Sequence, residues 1–259
     1  MTTFEQFNKL HQQADPLLIA NVWNAQSAKA FEKLKLQALA TSSAAVAETL
    51  GYADGEGMSF DEYLFVVKRI KASTTLPLSV DLETGYGKIT EEIVSNIKRL
   101  HEIGVVGINI EDTIVGQGSS RKISDAGTFA GKLKQISAAL DAENIKVWIN
   151  VRCDAFLLPL PDARKEAIER LQLYQETGVH GIFLPCITDL EDIRALVKAA
   201  KLPVNVMCMP GLPDFDTLRS AGVKRISMGN FLNKALYTNL EKMTERIIRE
   251  KNFSSLFAG

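Results

Sequence analysis

The 259 residues carry 30 Lys and Arg against 31 Asp and Glu, a formal net charge of −1, so no global field draws the chain toward nucleic acid or an anionic membrane surface. With 46 % hydrophobic and 24 % charged residues, the composition is that of a folded chain with a sizeable core and excludes disordered and fibrous classes. The apolar runs are too short to cross a bilayer, and the start MTTFEQFNKLHQQADP has no basic segment followed by an apolar one, so we expect a cytoplasmic protein without nucleic-acid or membrane partners. In chain order, short β-rich runs alternate with amphipathic stretches. Candidate strands are Leu17–Asn21, Ala38–Ser42, Leu78–Asp81, Gly107–Glu111, Val147–Arg152, Gly181–Pro185, Val204–Met207 and Arg225–Met228. Eight such βα units predict an α/β fold, a closed (β/α)8 barrel spanning residues 1–259 as one domain.

Two helices illustrate the repeat. EEIVSNIKRLHEIG places Ile93, Ile97 and Leu100 on one face and ends at Gly104; the unit 163–178 places Ala167, Leu171 and Tyr174 on another and ends at Gly178. The segment 113–127, TIVGQGSSRKISDAG, is predicted to be an irregular, mobile cover, given Gly116, Gly118 and Gly127 and the polar middle Ser119, Ser120, Arg121, Lys122, Ser124 and Asp125. The tail from Asn230 reads as helical. Its surplus Phe253, Leu256 and Phe257 suggest a second helix, an intersubunit contact or packing on the same subunit. The three cysteines, Cys153, Cys186 and Cys208, have neither metal-ligand nor disulfide spacing and are expected to be small buried hydrophobes.

In a barrel of this kind the active site lies at the C-terminal ends of the strands. Those ends are polar: Asp81 and Glu83 after the third strand, Glu111 and Asp112 after the fourth, and Asn150, Arg152 and Asp154 at the fifth. Strand alternation predicts that Asp81 and Glu83 point the same way. Carboxylates converging on one mouth would repel unless a divalent cation joined them, and oxygen ligands match magnesium, though helix caps or lysine pairs are the simpler reading of any single one. His11, His101 and His180 fall away from the mouth, which argues against zinc. Arg152 reads as a bidentate carboxylate clamp or as a salt-bridge partner of Glu111 or Asp154. Ser42 and Ser43 read as an anion-receiving helix start or a routine N-cap, and Asp54 in LGYADGEG reads equally as a turn residue.

The order and spacing of the TSS, LGYAD, VDLETGYG, NIEDT and NVRCDA blocks resemble the isocitrate lyase and phosphoenolpyruvate mutase superfamily over almost the whole chain. The resemblance implies a barrel with an extra C-terminal helix or helices. It also implies Mg2+ (Mn2+ as a substitute) and a lyase that breaks a C–C bond beside a small 2-oxo acid through an enolate. It implies a homo-oligomer, dimer or tetramer, with C-terminal helix exchange. Residue by residue, it makes Asp81 the direct metal ligand and Glu83 and Glu111 the holders of metal-bound waters, with Glu83 standing where an aspartate is usual. Ser42, Ser43, Arg152 and, in PVNVMCMPGLP, Asn205 would bind substrate, and Asp54 and Arg152 would be catalytic. The lyases carry a KKCGH-type segment after strand four; VGQGSSRKISDAG has neither cysteine nor histidine. The phosphonate members' lysine and asparagine context is missing as well. We therefore expect an oxaloacetate-like decarboxylase, hydrolase or lyase. The alternatives are C–P bond chemistry on phosphonopyruvate or phosphoenolpyruvate, or a catalytically impaired barrel that binds oxo acids.

Overall fold

The computed structural model describes residues 3–115 and 121–257. Helix α1 (Thr3–Leu10) leads into strand β1 (Leu17–Val22), followed by α2 (Ala25–Lys33), β2 (Leu39–Thr41), α3 (Ser43–Leu50), α4 (Phe60–Lys71), β3 (Leu78–Asp81), α5 (Thr90–Glu102) and β4 (Gly107–Glu111). A hairpin of β5 (Thr113–Val115) and β6 (Arg121–Ile123) interrupts the alternation before α6 (Ala126–Ala142). The pattern resumes with β7 (Trp148–Arg152), α7 (Ala163–Tyr174), β8 (Gly181–Leu184), α8 (Leu190–Ala199), β9 (Val204–Met207), α9 (Phe215–Ser220), β10 (Arg225–Ser227) and α10 (Phe231–Glu250). Eight strands close in the order β1-β10-β9-β8-β7-β4-β3-β2, every pair parallel. This is the predicted barrel, strand for strand. A closed parallel sheet has no edge to protect, and each strand is buried on both faces, so the polar residues its strands carry inward must find partners inside the barrel, as Asn109, Asn150 and Asn205 do with one another.

Two apolar cores result. The larger lies between strands and helices and takes in Ile93, Ile97 and Leu100 of α5 and Ala167, Leu171 and Tyr174 of α7, as their spacing predicts. Both helical segments end at left-handed glycines, Gly104 (φ 87°) and Gly178 (φ 84°). The smaller core fills the N-terminal end of the barrel with Leu17, Ile19, Ala38, Ala40, Val106 and Trp148, capped by Phe7 of α1. Gly181 makes room for Trp148: a Cβ there would sit 2.2 Å from the indole Cη2.

His11 stacks on Trp148 with ring centroids 3.9 Å apart and bonds Phe7 O through Nδ1 at 2.9 Å. Burial, aided by Arg225, depresses its pKa to about 3; burial likewise brings His180, whose Nδ1 accepts from Ile149 N, to about 4. Both rings therefore lie at the closed end of the barrel, as the sequence predicts. Their unfolded pKa is near 6.5, so below that pH the unfolded chain binds protons that the native chain refuses. Stability should fall by about 2 kcal/mol per histidine between pH 7 and pH 5. Urea unfolding midpoints at the two pH values should reveal the loss, and His11→Gln should halve the part due to these two rings.

Three expectations need correction. The described parts of the 113–127 segment are not irregular: β5 and β6 pair antiparallel, with Ile114 opposite Lys122, and Gly127 lies inside α6, which Asp125 caps by accepting from Thr128 N. Gly116, Gly118, Ser119 and Ser120 lie outside the described residues. Glu83 does not share the direction of Asp81, because β3 ends at Asp81 and Glu83 adopts φ 50°, which breaks the strand's alternation. Only Cys153 of the three cysteines is buried; Cys186 is half-buried and Cys208 exposed.

After α10 the tail adds one 3-10 turn, Ser254–Leu256, and Phe253, Leu256 and Phe257 are exposed. In α10 itself Leu232, Leu236, Tyr237, Leu240, Met243 and Ile248 face solvent, and Asn233 is its one buried residue. No helix among the described residues is long and apolar enough to cross a membrane.

Candidate active site

At the C-terminal mouth of the barrel a cavity of about 460 Å³ is lined by Asn21, Ser42, Ser43, Asp54, Asp81, Asn109, Arg121, Arg152, Cys186 and Ser227, among others. Strand register sets this layer: Asp81 lies beside Asn109, Asn109 beside Asn150, Glu111 beside Arg152, and Arg152 beside Phe183.

Asp81 is held from three sides. Its N–H donates to Thr41 Oγ1 (2.9 Å), its carbonyl accepts from Tyr63 OH (2.9 Å), and Oδ2 accepts from Ser43 Oγ (2.8 Å). The other carboxylate oxygen, Oδ1, is buried and has no partner. Burial raises the Asp81 pKa, against the opposing pull of Arg152 and Ser43. A fixed, desolvated carboxylate with one unpaired oxygen in a cavity is a donor waiting for a cation.

Glu83 is buried, but its carboxylate turns away from the cavity. Oε2 accepts from Glu56 N (2.7 Å) and Oε1 from Tyr86 OH (2.8 Å). Burial, with the charge of Asp81 adding to it, lifts its pKa to about 8. Glu111, 1 % exposed, stands between two arginines: Arg121 Nη1 reaches Oε1 at 2.9 Å and Arg152 Nη1 reaches Oε2 at 2.8 Å. Burial pushes the Glu111 carboxyl up, and the two guanidiniums oppose that by favouring its ionised form. The structure thus brings Asp81 to the cavity wall, leaves Glu83 with both oxygens hydrogen-bonded, and leaves Glu111 hydrogen-bonded through Oε1 and ion-paired through Oε2. Among the described residues no three His, Cys, Asp or Glu side chains are arranged to hold a metal ion by themselves.

Arg152 makes both of the ion pairs that its sequence position offered. Besides Glu111, it donates from Nε to Asp154 Oδ1 (2.7 Å) and from Nη2 to Oδ2 (3.3 Å). Asp154 is fully buried and is fixed in turn by Thr113 Oγ1 and, through its N–H, by Asp112 Oδ1 (2.9 Å). Asp112 accepts from Tyr174 OH (2.8 Å) and Arg170 Nη1 (3.2 Å). The arginine is therefore pre-positioned by a buried chain of carboxylates and donors, with its remaining N–H groups free for an anion.

Ser42 caps α3 by accepting from Ala45 N (3.3 Å) while also lining the cavity, so its routine and its functional reading coexist. Asp54 lines the cavity and pairs with Arg121 Nη2 at 2.8 Å. Asn205 does not line it: its amide lies one layer below, donating to Val206 O (2.6 Å) and Ser227 Oγ (3.2 Å) and accepting from Asn150 (3.1 Å). Sequence reasoning offered Arg121 only as a stand-in, with Lys122, for the phosphonate members' lysine, and missed Asn21, Asn109, Cys186 and Ser227 as cavity residues. Asn109 and Cys186 carried a usable signal, since Asn109 alternates with Glu111 on one strand face and Cys186 directly follows a strand end. Arg121 carried only its place in the segment after strand four, and its reach into the cavity is set by the hairpin.

A polar cavity at the C-terminal mouth of a closed parallel barrel, with a strand-end carboxylate and arginine, defines a (β/α)8-barrel enzyme. The family model for phosphoenolpyruvate phosphomutase matches residues 7–248, and the chain belongs to that family. It is 31 % identical over 216 residues to 2-methylisocitrate lyase of Escherichia coli K12, covering 81 % of this chain and 72 % of that one. It is 28 % identical over 209 residues to oxaloacetate decarboxylase 1 of Pseudomonas fluorescens, covering 79 % and 71 %. A solved structure from Burkholderia cenocepacia J2315 superposes with a TM-score of 0.88 at 32 % identity, covering 94 % of this chain and 99 % of that one. The two curated relatives are named as lyases and the Burkholderia structure as a putative phosphonomutase, and the chain is an enzyme of this family.

Proposed function

We propose that this enzyme is a magnesium-dependent lyase that breaks the C–C bond adjacent to a small 2-oxo acid of the oxaloacetate type. The observation that carries the reading is the unpaired, buried Asp81 Oδ1 in a cavity that Arg152 and two serines also line. One free carboxylate oxygen fits a hard cation that keeps most of its waters, as magnesium does, and does not fit an all-protein cage. Asp81 would hold the ion directly, while Glu83 and Glu111, whose carboxylates meet protein donors outside the cavity lining, would act only through the charge they place behind it. When bound, the ion supplies positive charge where an enolate develops.

The chain's own groups bind and orient. Ser42 and Ser43, at the start of α3, and the remaining N–H groups of Arg152 receive the oxo-acid head. Loss of carbon dioxide from such a substrate needs no protein nucleophile, which suits a hairpin whose described residues include no cysteine and no histidine. In a hydrolytic variant of the reaction Asp54 would activate water at the cavity wall. We further propose that a second copy of the chain covers the apolar face of α10 in a homo-oligomer.

A steady-state screen with magnesium of oxaloacetate, methylisocitrate, isocitrate and phosphonopyruvate tests the reading. Oxaloacetate turnover should exceed isocitrate and methylisocitrate cleavage by at least about a hundredfold, the lower range of what a positioned general acid contributes. Efficient isocitrate or methylisocitrate cleavage would overturn this and would point to Asp54 as the acid, since Asp112 is buried outside the cavity. Turnover of phosphonopyruvate alone would favour C–P chemistry, and oxalate binding without any turnover an impaired binder.

A further inference from the structure

We propose that Arg121 is the specificity residue for a second carboxylate on the substrate: it exchanges its partner Asp54 for that carboxylate while remaining anchored on Glu111. The inference rests on the 2-oxo acid reading above and adds the group that separates dicarboxylates from monocarboxylates.

The two ion pairs of Arg121 differ in kind. Glu111 is 1 % exposed and accepts from Nη1 at 2.9 Å, so breaking that pair would strand a buried charge. The Asp54 side chain is 45 % exposed and meets Nη2 at 2.8 Å. An exposed pair is screened and adds little, so an incoming anion can replace it at small cost. The anchor keeps the guanidinium aimed; the exposed partner makes it exchangeable.

Arg152 cannot do the same. Two buried carboxylates hold it, Asp154 through Nε and Nη2 and Glu111 through Nη1, so it is a fixed feature of the wall suited to one substrate carboxylate. Both arginines line the same cavity, as do Ser43 and Asp81. Asp54 comes from the segment after α3 and Arg121 from β6, so their pair joins the loops that follow β2 and β4 across the mouth. A monocarboxylate leaves that pair intact. A dicarboxylate large enough to reach from Arg152 to Arg121 displaces Asp54 and leaves its carboxylate free in the cavity.

The test is calorimetry on the full chain with magnesium, using oxalate as the probe for the oxo-acid head and 3,3-difluorooxaloacetate as the same head with a distal carboxylate. Arg121→Met should weaken difluorooxaloacetate at least about tenfold and leave oxalate within about twofold. Arg121→Lys keeps a cation beside Glu111 and should recover part of that loss, and Asp54→Asn, which removes the competing anion, should not weaken difluorooxaloacetate. Unchanged difluorooxaloacetate affinity in Arg121→Met, or equal weakening of both probes in both Arg121 variants, would overturn the assignment while wild-type oxalate binding left the 2-oxo acid reading intact. Absence of magnesium-dependent oxalate binding in the wild type would overturn that reading, and this assignment with it.

Discussion

Asp81→Ala should abolish magnesium-dependent turnover and oxalate binding while leaving the barrel folded. Of the three carboxylates, Asp81 lines the cavity with a buried oxygen that has neither hydrogen bond nor ion pair; Glu83 is engaged by Glu56 N and Tyr86 OH, and Glu111 lies outside the lining, with Oε1 bonded to Arg121 and Oε2 in ion-pair contact with Arg152. The substitution therefore removes the one direct donor available for a cation. A charge stabilisation of about 4 kcal/mol in the transition state corresponds to about a thousandfold in rate, and we expect kcat/KM to fall at least that far. The melting temperature should change little, since burial already disfavours the ionised Asp81 and the alanine leaves Ser43 as the partner lost. Oxalate titrations with and without magnesium check the binding part, and retained magnesium-dependent affinity in Asp81→Ala would place the metal elsewhere.

The second large effect concerns Arg152, and the two substitutions there should separate stability from binding. Arg152→Met leaves Glu111 and Asp154, 1 % and 0 % exposed, without their shared cation, and breaking such a buried pair commonly costs about 3–5 kcal/mol. Its unfolding midpoint in urea should drop accordingly. Arg152→Lys keeps the charge and should keep the fold, but an ammonium cannot reproduce the side-on fork to Asp154, the contact to Glu111 and the N–H groups left for a substrate carboxylate. We expect kcat/KM to fall at least about tenfold. Near-normal kinetics in Arg152→Lys would make Arg152 a purely structural ion pair of the strand ends.

The site was legible where a residue's position on a strand settles its direction. Asp81, Glu111 and Arg152 sit at the ends of β3, β4 and β7, and the alternation of a strand carries them to the mouth. Glu83 shows where that logic stops. It lies two residues past Asp81, outside the strand, where a left-handed backbone (φ 50°) sends its carboxylate under the Glu56 loop. Asn205 was misplaced for a related reason: it is near the start of β9, so its side chain joins the buried amide layer with Asn150 and lies beneath the cavity. The 113–127 segment was read from composition as irregular, but its described parts include a strand pair, and Arg121 ties the second strand to the mouth by reaching Asp54 in the loop after α3 and Glu111 at the end of β4.

By itself the sequence determined the eight strands, their alternation with helices, the apolar stripes of α5 and α7 and the polar chemistry of the strand ends. Each of these follows from local periodicity and chain order. Only the tertiary structure decided which polar groups meet. Glu111 and Arg152 are aligned by the register of β4 with β7, Arg121 reaches Asp54 across the mouth, and the oxygens of Glu83 find donors in Glu56 and Tyr86. The physical reason is that a buried carboxylate takes whichever donors the closed barrel brings within 3 Å, and those donors lie up to 62 residues away in sequence, beyond the reach of any local pattern.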